Sequence, residues 1–242
     1  MKVLDHLVTT TGQSPKHARA LVMAGRVLVN DQIITSVHQV LKPDDVIRIK
    51  PSKPWVSRGA HKLLAALANF QIEVQHKICL DIGASTGGFT QVLLAHGATQ
   101  VYALDVGTNQ LDYRLRSDPR VVCLEKTNLK TITAELFATP PELVVCDVSF
   151  ISLVHVFQVL QDPNLLAIGH QLVVLIKPQF EAPAKLVGPQ GYVDPQHHQA
   201  IIDKIINNAQ TKHFELMALM PSPILGHKSK NREYLALFRK VQ

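Results

Sequence analysis

One stretch, Ile78-Cys79-Leu80-Asp81-Ile82-Gly83-Ala84-Ser85-Thr86-Gly87-Gly88-Phe89-Thr90, constrains this chain more than any other, because an apolar run meets an acid and then breaks into closely spaced glycines. The pattern predicts a buried strand, a tight turn and the start of a helix. Gly83, Gly87 and Gly88 leave room for a ligand to approach the main chain, which side chains there would block. The spacing is Gly-x-x-x-Gly-Gly and not the Gly-x-Gly-x-x-Gly of dinucleotide enzymes. Asp81 stands before the first glycine, where a carboxylate meets a positively charged ligand. S-adenosylmethionine carries an amino-acid head and a sulfonium but no phosphate, and it suits this loop better than NAD.

The 242 residues leave room for one large domain or for an ordinary domain with a small appendage. A formal net charge of +6 points weakly to a polyanionic partner such as nucleic acid. Cys79, Cys123 and Cys146 each lie inside an apolar stretch and form no Cys-x-x-Cys pair, so they read as small core residues. The N-terminus has no apolar core of signal-peptide length, and no uncharged apolar run reaches the roughly 18 residues that cross a bilayer. A cytoplasmic protein is expected.

Residues 1–50 differ in texture from the rest. Ser14-Pro15 is a helix start, with Ser14 as N-cap, and the helix sets Ala18, Leu21 and Val22 on one face before Gly25 ends it. Short strands are expected at 27–29, 33–34 and 46–49. Leu4, Asp5, Leu7 and Val8, the run from Ser14 through Ala18, Arg19, Leu21, Val22, Gly25, Arg26, Val27 and Val29 to Asn30, and Asp45-x-Ile47 together resemble an S4 domain, a small RNA-binding module. That resemblance implies phosphate contact by Lys16, Arg19, Arg26 and Lys42. The alternative is a solvated basic helix face. A proline-bearing linker is expected over residues 51–57, separating a domain at 1–50 from one at 58–242.

From Ile78 onwards strand-like and helix-like segments alternate, predicting an α/β layered sheet with strands at 78–80, 101–104, 121–124, 143–146 and 171–176. A helix at 199–208 precedes two late strands, 214–220 and 234–238, that fit an antiparallel hairpin. This mostly parallel sheet closed by a hairpin is the arrangement of class I methyltransferases. Ligands of open α/β sheets lie beyond the carboxyl ends of the strands, so the strand-end polar residues are the candidates. Asp105 ends the second strand, where a carboxylate can accept from ribose hydroxyls. Asn128, after the third, reads as an adenine neighbour or as an ordinary loop residue. The fourth strand ends at Asp147-Val148-Ser149-Phe150, with neither the Asn-Pro-Pro-Tyr of amine methylation nor the Pro-Cys of pyrimidine C5 chemistry. Cys146 is expected to point into the sheet. Lys177 follows the fifth strand, and Lys228, Lys230, Arg232 and Glu233 precede the last one.

Arg58-Gly-Ala-His-Lys62-Leu, Asp81-x-Gly-Ala-Ser-Thr-Gly-Gly-Phe-Thr, Asp147-Val-Ser-Phe-Ile-Ser-Leu, Lys177-Pro-Gln-Phe-Glu181 and Ser222-Pro-Ile-x-Gly226 together resemble the TlyA group, the so-called hemolysin A proteins. The resemblance covers nearly the whole chain. It implies an α/β class I methyltransferase sheet, FtsJ-like, behind a small α+β S4 domain, and S-adenosylmethionine-dependent 2′-O-ribose methylation of ribosomal RNA. It also implies a catalytic set of Lys62, Asp147, Lys177 and Glu233, cofactor contact by Asp81, Gly83, Ser85, Gly87, Gly88, Phe89, Asp105 and Asn128, and RNA contact by Arg58. Ribosomal RNA or a ribosomal subunit is the implied partner. An ordinary lysine keeps its proton at neutral pH, so a base role needs an environment that disfavours charge, such as a second cation and partial burial. The chain departs from the group at Lys230, where relatives carry glycine, and at 186–194, where they are more basic. Two other readings stand beside this one, an RNA-binding protein with an inactive cofactor domain and a membrane-active hemolysin. No metal site is expected, because the adjacent His197 and His198 point in different directions.

Overall fold

The computed structural model describes residues 1–50, 54–226 and 230–242. The chain divides into two units, Met1–Pro54 and Trp55–Gln242. Of the features expected from sequence, Lys228 and positions 51–53 of the linker lie outside the described residues.

In the first unit two helices, Val3–Thr11 (α1) and Pro15–Met23 (α2), bury Val3, Leu7, Ala18, Leu21 and Val22 against Val27, Val29 and Ile34. Ser14 caps α2 by accepting from the backbone N–H of His17 at 3.3 Å, and Pro15 takes the first helical position, where its missing N–H costs nothing. The strands Val27–Val29 (β1), Gln32–Ile33 (β2) and Ile47–Ile49 (β3) form an antiparallel sheet in the order β2-β1-β3. Asn30 (φ 52°) and Asp31 (φ 63°) make the β1–β2 turn, both in the left-handed region that a two-residue hairpin loop requires. Asn30 also staples that turn to the next one, donating to Asp45 Oδ1 at 2.8 Å and accepting from the N–H of Val46 at 2.9 Å.

The second unit begins with helix Gly59–Phe70 (α3) and then alternates: Ile78–Ile82 (β4), Gly88–Ala95 (α4), Gln100–Leu104 (β5), Tyr113–Arg116 (α5), Val121–Leu124 (β6) and Leu143–Cys146 (β7). It continues with Leu153–Leu160 (α6), Gln171–Ile176 (β8), Pro178–Glu181 (α7), His198–Gln210 (α8), Phe214–Pro221 (β9) and Tyr234–Lys240 (β10). The strands form one seven-stranded sheet in the order β6-β5-β4-β7-β8-β10-β9, parallel from β6 to β8, with β10 antiparallel to both β8 and β9. This bears out the mostly parallel sheet closed by a hairpin. One face carries α3 and α4 over a core that includes Leu63, Leu67, Val92 and Leu93. The other carries α6 and α8 over Val156, Phe157, Leu160, Ile202 and Ile205. Being covered on both faces, the inner strands are mostly apolar, as parallel strands are, with Asp81 of β4 the charged exception. Edge strand β9 instead alternates exposed positions with half-buried ones after buried Phe214.

Strand order reverses at β4, which has β5 on one side and β7 on the other, so a crevice opens beyond the carboxyl ends of these strands. β4 runs further than its apolar residues predicted. Asp81 is paired in the ladder with Ala103 and Val145, and Ile82 with Leu104 and Cys146. A charged residue interrupts the apolar pattern but not the strand, because its carboxylate finds partners inside the fold. Among the described residues no helix is long and apolar enough to cross a membrane.

Candidate active site

Asp81 is completely buried, and its Oδ2 accepts from the backbone N–H of Thr90 at 2.8 Å and from Thr90 Oγ1 at 2.7 Å. Thr90 lies in the first turn of α4, so this carboxylate ties the strand to the helix that follows the loop. Oδ1 is buried with no hydrogen-bond partner. Burial pushes the carboxyl up to about 7, against the opposing effect of the two Thr90 bonds. Between strand and helix the backbone turns through Gly83 (φ 82°), Ser85 (φ 49°) and Gly87 (φ 94°). A side chain at Gly83 would put its Cβ 2.9 Å from the carbonyl oxygen of Asp147, so the glycine lets the loop lie against the end of β7. Asp105, at the end of β5, accepts from the N–H of Ser85 at 2.8 Å and of Gly107 at 2.7 Å, joining the glycine loop to the loop after β5.

The second part of the site follows from topology. β7 and β8 are parallel, so Asp147 and Lys177, the residues just after them, emerge at the same rim. β10 runs antiparallel to β8 with Tyr234 paired to Ile176, so the residue before it, Glu233, starts where β8 finishes. Lys62 reaches the same place from the first turn of α3. The four side chains form a chain of alternating charge. Lys62 Nζ lies 2.8 Å from Glu233 Oε2 and 3.5 Å from Asp147 Oδ2, and Lys177 Nζ lies 2.6 Å from Asp147 Oδ1. Their side chains are 4% to 19% exposed. Charges this buried persist only when paired, and here each ammonium meets a carboxylate.

The loop after β7 is joined to the segment after β8 at several points. Lys177 Nζ donates to Ser149 Oγ at 3.0 Å, Ser152 Oγ donates to Glu181 Oε2 at 2.6 Å, and the N–H of Leu153 donates to Glu181 Oε1 at 2.8 Å. The rings of Phe150 and Phe180 meet at 5.0 Å, with Phe150 in a left-handed conformation (φ 64°) and 91% exposed. On the other side, buried Asn231 holds the segment that carries Glu233. It donates to Gln179 Oε1 (3.0 Å) and to the carbonyl of Gly191 (2.8 Å), and accepts from the N–H of Val193 (2.9 Å). Lys230 takes φ 57°, the conformation a glycine adopts freely. The lysine thus makes a glycine-type turn at a cost of roughly 1–2 kcal/mol.

One cavity of about 1000 Å³ spans the glycine loop and the charged set. Of the residues singled out in the sequence, Arg58, Lys62, Asp81, Gly83, Ser85, Gly88, Phe89, Asp147, Lys177 and Glu233 line it. Gly87, Asp105 and Asn128 are not in its lining. Gly87 serves as N-cap of α4, where a Cβ would stand 2.2 Å from Leu115 Cδ1. Asn128 caps a short 3₁₀ turn, accepting from the N–H of Lys130 at 3.0 Å. Ser149, Phe150 and Gln179 line the cavity and were not singled out from sequence. Their one signal is position, within three residues of a polar strand end. Cys146 is fully buried and its thiol is pushed up by burial, which removes it as a nucleophile. In the first unit Lys16, Arg19 and Lys42 are exposed. Arg26 instead donates twice to the carbonyl of Lys50, at 3.1 and 2.7 Å, closing the end of the small sheet.

A mostly parallel seven-stranded sheet with a reversed terminal hairpin, carrying a glycine loop after its central strand, defines a class I methyltransferase fold. The family model for FtsJ-like methyltransferases matches residues 55–240, and that for the S4 domain matches residues 10–47. The chain is 43% identical to "Hemolysin A" of Brachyspira hyodysenteriae over 243 residues, covering 97% of this chain and 98% of that protein. It is 40% identical to "16S/23S rRNA (cytidine-2′-O)-methyltransferase TlyA" of Mycobacterium tuberculosis, covering 94% and 85%. A crystal structure of a Lactococcus lactis protein that carries the hemolysin name matches with a TM-score of 0.74 at 44% identity, covering 78% of this chain and 90% of that one. The chain belongs to the FtsJ-like methyltransferases with an N-terminal S4 domain, the hemolysin A or TlyA group.

Proposed function

We propose that this protein transfers a methyl group from S-adenosylmethionine to a ribose 2′-oxygen of ribosomal RNA, with the S4 unit docking the RNA. The observation that carries the reading is the buried chain Glu233–Lys62–Asp147–Lys177, which opens into the same cavity as the glycine loop. The donor half fits the cofactor, since Asp81 Oδ1 is a buried acceptor without a partner in a loop that lines the cavity. In this reading Asp81, Gly83, Ser85, Gly88 and Phe89 hold the cofactor, while Asp105 holds the loop around it. When bound, the cofactor supplies an activated methyl whose bond to sulfur breaks as the bond to the 2′-oxygen forms.

The chain's own residues orient the hydroxyl and take up its proton. A ribose hydroxyl is a poor nucleophile until its proton can leave. Lys177 meets the hydroxyl, and the Lys177–Asp147 pair receives the proton. Lys62, held between Glu233 and Asp147, fixes Asp147 in turn. Lys16, Arg19 and Lys42 of the S4 unit and Arg58 at the cavity contact RNA phosphates, and Arg26 acts chiefly on its own sheet. The reading makes this a cytoplasmic enzyme, found where ribosomes are. Incubating the protein with methyl-labelled S-adenosylmethionine and ribosomal subunits tests it. Label is expected in the RNA; no incorporation into either subunit, or binding of NAD in preference to S-adenosylmethionine, would overturn it.

A further inference from the structure

A lysine amine sits on a flexible four-carbon stem, and a single ion pair fixes where it is but not how it is turned. Lys177 Nζ has two partners, Asp147 Oδ1 at 2.6 Å and Ser149 Oγ at 3.0 Å. They stand two residues apart in one loop, and only the serine contact has hydrogen-bond geometry: Asp147 Oδ1 receives no hydrogen bond, so the ion pair places the nitrogen while the Ser149 bond fixes one N–H direction, from which tetrahedral geometry sets the other two. Ser149 belongs to a loop pinned at both ends. The N–H of Asp147 donates to the carbonyl of Ile82 at 3.1 Å, and Ser152 and Leu153 are bound to buried Glu181. Glu181 lies at the end of the short helix that Lys177 precedes, so the hydroxyl and the amine are held by the same two segments. Ser149 is exposed and lines the cavity.

We propose that Ser149 is a positioning residue for methyl transfer: its hydroxyl sets the rotation of the Lys177 amine, so that another direction on nitrogen faces the acceptor hydroxyl. The proposal rests on the reading of the site as a 2′-O-methyltransferase. Misorienting a catalytic group costs up to about a hundredfold in rate, so Ser149→Ala should lower kcat about 10- to 100-fold. Because Ser149 acts through Lys177, KM for the ribosomal subunit and Kd for S-adenosylmethionine should stay within about threefold, and Ser149→Thr, which keeps the hydroxyl, should recover most of the rate.

The test measures kcat, KM and cofactor Kd for the full-length wild type and for Ser149→Ala, Ser149→Thr and Lys177→Ala on the same subunits. A kcat loss in the alanine variant that threonine restores supports the proposal. Wild-type kcat in Ser149→Ala, a change confined to KM, or threonine as slow as alanine overturns it while Lys177→Ala stays inactive. A fully active Lys177→Ala would overturn the reading of the site itself.

Discussion

The two halves of the cavity are built in different ways. The half proposed to hold the methyl donor is local: Asp81, Gly83, Ser85, Gly88 and Phe89 lie within nine positions, and Thr90, which satisfies one oxygen of Asp81, is the next residue. The half proposed to meet the acceptor is assembled from Lys62, Asp147, Lys177 and Glu233, with 171 positions separating Lys62 from Glu233. A backbone turn shapes the first, whereas strand order and pairing of opposite charges shape the second. They meet where Gly83 lies against the carbonyl of Asp147. A local site is disturbed by changes in one segment, while a topological one is sensitive to every element that supports it.

That contrast can be broken at either half. Lys177→Ala removes the group proposed to meet the hydroxyl, and kcat should fall about 100-fold or more, with cofactor Kd unchanged by calorimetry. An equal loss of cofactor binding would mean that the halves are not separable. Glu233→Ala leaves Lys62 buried with only the 3.5 Å contact to Asp147. It should destabilise the second unit by about 3 kcal/mol, the lower end of what an uncompensated buried charge costs, as read by denaturant unfolding.

The smallest effect belongs to the donor half and is read by pH. With Asp81 pushed up to about 7, its carboxyl is mostly protonated at pH 6 in the free protein and mostly ionised at pH 7.5. In the proposed reading the ionised form attracts the cationic amino-acid head, so affinity for S-adenosylmethionine should rise with pH over that range, by up to about eightfold. The same shift makes burial of Asp81 stabilising in its neutral form, an advantage present below pH 4 and lost as pH rises through about 7. In Asp81→Asn the pH dependence of affinity should disappear.

The sequence exposed these halves unequally. The glycine loop was legible as a contiguous pattern, and the layered sheet with its terminal hairpin followed from alternating segments. Lys177 and Asp147 were legible as strand-end residues. Placing Glu233 beside them requires β10 to pair with β8 in antiparallel register, and Lys62 requires the position of α3. Neither pairing nor helix placement is written in local spacing, and resemblance supplied both residues. Ser149 was passed over because a serine in a loop carries no pattern until the amine it binds is in view. Asp105 and Asn128 are polar after strands, as a ligand contact would be, yet both turn side-chain oxygens to backbone N–H groups, and spacing does not separate those roles.

The central claim is that the acceptor half presents a ribose hydroxyl and not a base. The most direct test is to digest labelled ribosomal RNA to nucleosides after reaction with the wild-type protein and to locate the methyl by mass spectrometry. The account predicts the methyl on the ribose 2′-oxygen, at a linkage that resists alkaline cleavage, and none from Lys177→Ala. A methyl on a base nitrogen or carbon would contradict it.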